Sequence, residues 1–269
     1  MPEALVLGAG QEVGRSCVVV TVGGKRIMFD CGMISKYTDS RRFPNFSALA
    51  GPGGDLSHCV DALVITHYHL DHTGALPHLT EICGYRGPIF MSAPSRAIVN
   101  VLLQDYRRVM ENKTAPDMYS ESDISRCLSR VRILSLGELV HLGSLNDSPN
   151  SSLKLRTYYA GHVLGAVMAH VECAGESVLY TGDFNATPDR YLGAAAVPNP
   201  PLRPDLLISE STYAATVRGF KRRNEREFAT RVHEAVQGGG KVLIPVFAFG
   251  RAQELQVERP YTPPTLTQT

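Results

Sequence analysis

The chain has 269 residues, with 27 Lys+Arg against 26 Asp+Glu, 43% apolar residues and no Trp. With 20% charged residues beside that apolar content it is not a disordered chain, and its net charge of +1 leaves any attraction to nucleic acid to local patches. No apolar run reaches the roughly 18 residues that a membrane span needs, and Met1-Pro2-Glu3-Ala4-Leu5-Val6-Leu7 has no basic segment of a secretory signal.

Strands dominate the first third. Gly8-Ala9-Gly10-Gln11-Glu12-Val13-Gly14 is spaced one residue too long for a dinucleotide fingerprint and precedes a strand, so it reads as a tight loop between strands. The β-branched run Ser16–Val22 turns at Gly23-Gly24 and returns through Lys25–Asp30. Residues 33–57 read as loop, and Ala62–Thr66 as a buried strand that runs into His67-Tyr68-His69-Leu70-Asp71-His72. A helix is expected from there through Leu79 to Cys83, stopped by Gly84. A short strand at Pro88–Ser92 follows, then helices over 94–111 and 121–130. Residues 152–181 read as antiparallel strands broken at Ala160–Gly165. Leu206–Ser209 is a strand delivering Glu210, Lys221–Val236 a charged amphipathic helix, and Lys241–Val246 a further strand. Two groups of strands with helices between them predict an α/β architecture of stacked sheets with helices on the outer faces.

The six cysteines (Cys17, Cys31, Cys59, Cys83, Cys127, Cys173) form no C-x-x-C pair and read as reduced thiols of an intracellular protein, most of them small buried hydrophobes.

Four metal-binding side chains fall within six residues, His67-x-His69-x-Asp71-His72. Imidazole and carboxylate suit a catalytic zinc site rather than a Cys-rich structural one. A tight loop after the strand can aim His67 and His69 at one ion while Asp71 and His72 turn toward a second. His162, between Gly161 and the Gly165 turn, and Asp183, after Thr181-Gly182, complete a two-metal site, with Asp183 as the bridging carboxylate. His58, His78, His141, His170 and His233 lack ligand-like neighbours and read as surface or packing residues.

This order of motifs resembles the metallo-β-lactamase superfamily. The strings Leu7–Gly14, Phe29-Asp30-Cys31-Gly32-Met33, Tyr158–Ala166, Tyr180-Thr181-Gly182-Asp183-Phe184-Asn185 and Leu207-Ile208-Ser209-Glu210-Ser211-Thr212-Tyr213 resemble the β-CASP nucleases of RNA 3′-end processing. The resemblance runs from about residue 4 to Leu255. It implies an incomplete αββα sandwich over 1–210, the beginning of a β-CASP domain over 211–255, and a divergent, disordered tail over 256–269. It implies one zinc on His67, His69, His162 and Asp183 and a second on Asp71, His72 and Asp183, with Asp30 orienting a loop or ligand. Glu210 falls on the acidic motif that supports the general acid, and Asp71 can serve as proton acceptor or as ligand. The implied reaction is hydrolysis of an RNA phosphodiester by a metal-bound hydroxide. The implied setting is the nucleus, with the cytoplasm as a second location, small nuclear RNA or pre-mRNA as substrate and other subunits of a processing complex as partners.

Against the family pattern, two further histidines supplied after the β-CASP insertion lie beyond this chain. Gln256 onward, with three prolines, is not expected to continue the helix begun at Phe249-Gly250-Arg251. Ile34 and Tyr191 stand where relatives usually carry His. Arg218, Lys221, Arg222, Arg223, Arg226 and Arg231 form a basic cluster that reads either as an RNA contact, centred on Lys221, Arg222 and Arg223, or as a solvated helix face. Three functions are therefore carried: a two-zinc RNA endonuclease, a hydrolase of a small substrate, and an inactive form that binds partners or metal.

Overall fold

The Val-rich run around Gly23-Gly24 folds as the hairpin its β-branched composition and turn call for, β2 (Cys17–Val22) against β3 (Lys25–Phe29), with β1 (Glu3–Gly8) antiparallel on the outer side of β2. In the computed structural model, residues 1–111, 119–142, 152–196, 198, 200–217 and 219–257 are described. Contacts divide the chain into two units, Met1–Glu210 and Ser211–Thr269.

In the first unit β3 continues in parallel to β4 (Ala62–Val64), β5 (Ile89–Ser92) and β6 (Val131–Leu134), giving a six-stranded sheet. A five-stranded sheet pairs β7 (Leu139–Leu142), β8 (Leu153–Tyr159), β9 (Val167–Cys173), β10 (Glu176–Tyr180) and β11 (Leu206–Ile208). Its strands are antiparallel except for the β10–β11 pair. The core lies between the sheets: Val18, Val20, Ile27, Phe29, Val64 and Phe90 from one, Leu155, Ala169, Val171 and Val178 from the other. Strict alternation on each strand makes this possible, since every second side chain points to the same face.

Helix α1 (Leu70–Thr73) and a π-helical turn at His78–Ile82 occupy the place of the helix expected after the histidine motif. Two longer helices follow, α2 (Ala93–Glu111) and α3 (Glu121–Ser129), the latter opened by a capping box in which Ser120 and Asp123 satisfy each other's backbone donors. Strands β6 and β7 went unrecognised in the sequence because Val131–Leu134 and Leu139–Leu142 are short and mixed in polarity. Two sheets packed face to face, with helices among their connections, make the α/β architecture that the pattern of elements predicts. All six cysteines are free, five of them buried. Among the described residues, no helix is long and apolar enough to cross a membrane.

In the second unit, α4 (Lys221–Gln237) forms where the charged amphipathic pattern placed it, with no residue buried and no side-chain cap at Phe220. Lys241–Val246 is not a strand, contrary to its β-branched composition. A strand exists by pairing, and no other strand is found among the described residues of this unit. Helix α5 (Arg251–Val257) runs two residues into the segment read as a tail, because Gln256 and Val257 precede the first of its prolines. Residues 258–269 and Arg218 lie outside the described residues.

Candidate metal centre

Asp30 leaves β3 with a left-handed φ of 60° and its side chain fully buried. Such a backbone is unusual outside glycine, though Asp tolerates it better than most residues. The turn aims the carboxylate at three neighbours. Oδ1 accepts from Thr66 N at 2.8 Å, Oδ2 receives His72 Nδ1 at 2.7 Å, and the Tyr180 hydroxyl donates to Oδ2 at 3.2 Å. Thr66 Oγ1 also donates to this carboxylate, at 2.9 Å to Oδ2, and itself stands 3.0 Å from His67 Nδ1. A buried carboxylate thus fixes two imidazoles, one directly and one through a hydroxyl, and leaves both Nε2 atoms facing inward.

The backbone beyond Asp30 wraps the histidine motif. Cys31 N donates to His72 O at 2.8 Å, Met33 N to Leu70 O at 2.9 Å, and Ser16 N to Asp71 O at 2.8 Å. Gly32 is required by this approach, because a Cβ there would lie 1.6 Å from Asp71 O. The remaining donors arrive on loops of the second sheet. His162, with φ 49°, follows Gly161 between β8 and β9. Asp183 follows β10 through Gly182, where an added Cβ would meet Thr66 at 2.7 Å. The two loops are tied by Asn185 N donating to Ala160 O at 2.9 Å, and Glu210 Oε1 accepts from Phe184 N at 3.1 Å.

Two groups of donors result: His67, His69, His162 and Asp183, and Asp71, His72 and Asp183, each with its ligand atoms within 4.8 Å of one another. In the first, His67 Nε2 to His69 Nδ1 is 3.0 Å, His162 Nε2 to His69 Nδ1 3.3 Å, His162 Nε2 to Asp183 Oδ2 3.6 Å and His67 Nε2 to Asp183 Oδ2 4.0 Å. Four donors around a tetrahedral ion with bonds of roughly 2.0–2.1 Å stand about 3.3 Å apart, so this spacing fits a small divalent metal. In the second group His72 Nε2 lies 3.4 Å from Asp183 Oδ1 and 3.6 Å from Asp71 Oδ2. The two Asp183 oxygens therefore face different groups.

Burial, reinforced by the facing imidazoles, holds the His67 proton affinity well below the usual range and sets His69 at about 4. His162 is also lowered by burial, partly offset by Asp183. Burial pulls His72 down too, but Asp30, Asp183 and Asp71 outweigh it, and the net shift is strongly upward. For Asp183 burial is likewise outweighed, by His72 above all, and its carboxyl is lowered. Three imidazoles thus offer lone pairs near neutral pH, while the His72 proton must leave when a metal enters.

The six side chains singled out in the sequence converge, and Asp30 lies behind them with its carboxylate on His72 and Thr66. Sequence reasoning missed Thr66 and Tyr180. Tyr180 stacks on Phe29, with centroids 4.8 Å apart, and its inward register in β10 was the available signal. The other described histidines have packing or surface positions: His78 stacks on Phe43 at 3.9 Å and His170 is buried in β9. Ile34 is a buried apolar residue and Tyr191 is exposed. Lys221, Arg222 and Arg223 lie in the first turn of α4, in the second unit, with Lys221 Nζ 3.9 Å from Glu225.

The model of the metallo-beta-lactamase superfamily matches residues 10–221. The chain belongs to that superfamily. Within it, the chain is 50% identical over 254 residues to cleavage and polyadenylation specificity factor subunit 3-II of Arabidopsis thaliana, covering 94% of this chain and 40% of the relative. It is 50% identical over 258 residues to Integrator complex subunit 11 of Danio rerio, with 95% and 42% covered, and 40% identical over 253 residues to endoribonuclease ysh1 of Schizosaccharomyces pombe, with 94% and 31% covered. The chain therefore spans under half the length of these relatives, and its His/Asp cluster is able to bind a metal.

Proposed function

We propose that this protein is a zinc-dependent endoribonuclease of nuclear RNA 3′-end processing. The observation that carries the reading is the pair of donor groups joined at Asp183, in a chain 50% identical to a cleavage and polyadenylation specificity factor subunit and 40% identical to an endoribonuclease. His67, His69, His162 and Asp183 would hold one zinc, and Asp71, His72 and Asp183 a second. The second group offers three side chains against four, so it would hold its ion less tightly. Bound there, the ions would supply Lewis acidity to a phosphodiester and offset the charge that grows on its oxygens.

The chain's own residues prepare this chemistry. Asp30 holds the His72 ring by its Nδ1 and, through Thr66, the His67 ring, so neither has to reorient during the reaction. Asp71 would serve as a ligand or take a proton from an attacking water. Glu210, on the backbone N–H next to Asp183, fixes the loop that carries the shared carboxylate. Lys221, Arg222 and Arg223 are assigned to the RNA backbone. The same reading gives small nuclear RNA or pre-mRNA as substrate, other subunits of a processing complex as partners, and the nucleus as location. Residues 1–210 and 211–255 would be the metallo-β-lactamase domain and the start of a β-CASP domain.

The test is metal analysis of the purified chain beside cleavage of a single-stranded RNA. Tightly held zinc and cleavage that is lost in His69→Ala are expected. A soluble, folded chain that binds no zinc and leaves RNA intact overturns the reading.

A further inference from the structure

The parallel strands have a second end, and it has the opposite chemistry. Where β3, β4, β5 and β6 begin, a cleft of about 610 Å³ opens between the sheets. Its lining includes Lys25, Arg86, Arg130 and Arg132, with His141 on the facing strand β7 and one carboxylate, Asp61. This volume lies in the range of small-molecule sites, about 300–1,000 Å³. Four permanent cations around one cleft stand out in a chain whose net charge is +1.

Two of these cations occupy positions that the strand pattern reserves for core residues. Lys25 shares the inward face of β3 with Ile27 and Phe29, and Arg132 shares the inward face of β6 with Leu134. Across the gap, Leu142 and Leu153 come from β7 and β8. The guanidinium of Arg132 lies over the Phe90 ring at 6.0 Å. An inward charge can protect a sheet edge from pairing with another chain, and β6 is an edge strand. That accounts for Arg132 alone, not for Arg86 and Lys25, which reach the same cleft from other segments.

Asp61, the one carboxylate among the described lining residues, is already engaged. Asp61 Oδ2 accepts from Arg26 N at 2.8 Å, and Oδ1 lies 3.7 Å from Lys25 Nζ. Arg130 is held in place by donating to Tyr85 O at 2.9 Å and Gly87 O at 3.3 Å. Its position is fixed further by Glu81, at 3.9 Å. Arg86 and Arg132 are exposed and have no carboxylate partner among the described residues. Planar guanidinium forks suit phosphate oxygens, since each fork can donate two parallel bonds to one phosphate.

We propose that this cleft is a phosphate-binding site, separate from the metal centre, that takes a polyphosphate-bearing ligand through Arg86, Arg132 and Lys25. Its ligand is either a small polyphosphate or the backbone of an RNA strand, which share that chemistry. The proposal does not depend on RNA cleavage.

The full chain is titrated with inorganic triphosphate, with a short single-stranded RNA and with a hexaglutamate peptide, by calorimetry or anisotropy. Saturable triphosphate binding is expected, weakened at least about tenfold in Arg86→Glu/Arg132→Glu, and Arg132→Lys, which keeps the charge without the fork, should bind more weakly than the native chain and more tightly than that pair. The neutral pair Arg86→Gln/Arg132→Gln, checked for an unchanged melting temperature, keeps the test valid if charge reversal harms folding. If RNA is the ligand, the salt slope of its binding falls by about two in the neutral pair. If only triphosphate responds, the ligand is a small polyphosphate. Triphosphate affinity unchanged in both pairs overturns the site, as does hexaglutamate binding as tightly as triphosphate, which would mark a general attraction for acidic peptide.

Discussion

At the carboxyl ends of β3 and β4, Asp30 and His67 are fully buried and their side chains are held by neighbours, whereas ahead of β4 and β5, at the opposite end of the sheet, Asp61 and Arg86 face water. About 13 Å of strand separates the ends of β3. The metal end is organised by hydrogen bonds that radiate from one carboxylate. The basic end is organised by strand register and by two arginines that have no carboxylate partner among the described residues. The difference teaches that preorganisation has a cost in burial: donors that must hold an ion at fixed spacing are desolvated and braced, while cations that meet a mobile anion can stay exposed.

The widest separation between the ends is expected from Asp183→Ala. It removes a donor from both groups, so metal content should fall and RNA cleavage should drop by about two orders of magnitude or more. Metal analysis and single-turnover cleavage check this, and an unchanged metal content would break the shared-carboxylate picture. Asp30→Asn keeps a residue tolerant of positive φ but removes the charge that His72 faces. It should cost about 2–4 kcal/mol in urea unfolding and weaken metal affinity roughly 10–100-fold. Loss of stability without loss of metal affinity would reduce Asp30 to a packing residue.

Gly32→Ala tests the backbone wrap around the motif. With Asp71 O at 1.6 Å from the added Cβ, the loop must shift, at about 3 kcal/mol by thermal unfolding. The pH dependence sharpens the contrast further. His67, His69 and His162 are depressed in the folded protein, so below an unfolded value near 6.5 the unfolded chain binds more protons than the folded one. Metal-free protein should therefore lose stability as pH falls from about 6.5 toward 4, the His69 value. His72, raised in the fold, works in the opposite sense and loses its contribution as pH rises above its unfolded value. Denaturant titrations across that range should show a shallower acid limb in His69→Asn. The smallest effect belongs to the other end: Arg132→Gln should change stability by no more than about 0.5 kcal/mol, measured in the same way.

The hairpin of β2 and β3 was legible from its β-branched run and Gly23-Gly24 turn, and the helices α2, α3 and α4 from their apolar spacing. His67, His69, Asp71 and His72 were legible because their spacing survives in one dimension. Lys241–Val246 was misread because β-branched composition describes a side-chain preference, while a strand needs a partner that composition does not supply. Strands β6 and β7 were missed for the complementary reason: pairing with β5 and β8 makes strands of segments whose own pattern is weak.

What the sequence by itself determined is the list of donors and the loops that carry them, since ligand type and turn residues are local properties. Only the tertiary structure decided how far Asp183 stands from each of the two groups it was expected to join, that Thr66 and Tyr180 serve Asp30, and that Lys25 and Arg132 share a cleft with Arg86. Each of these joins residues far apart in the chain, and the packing of two sheets sets their distances. No local pattern records them.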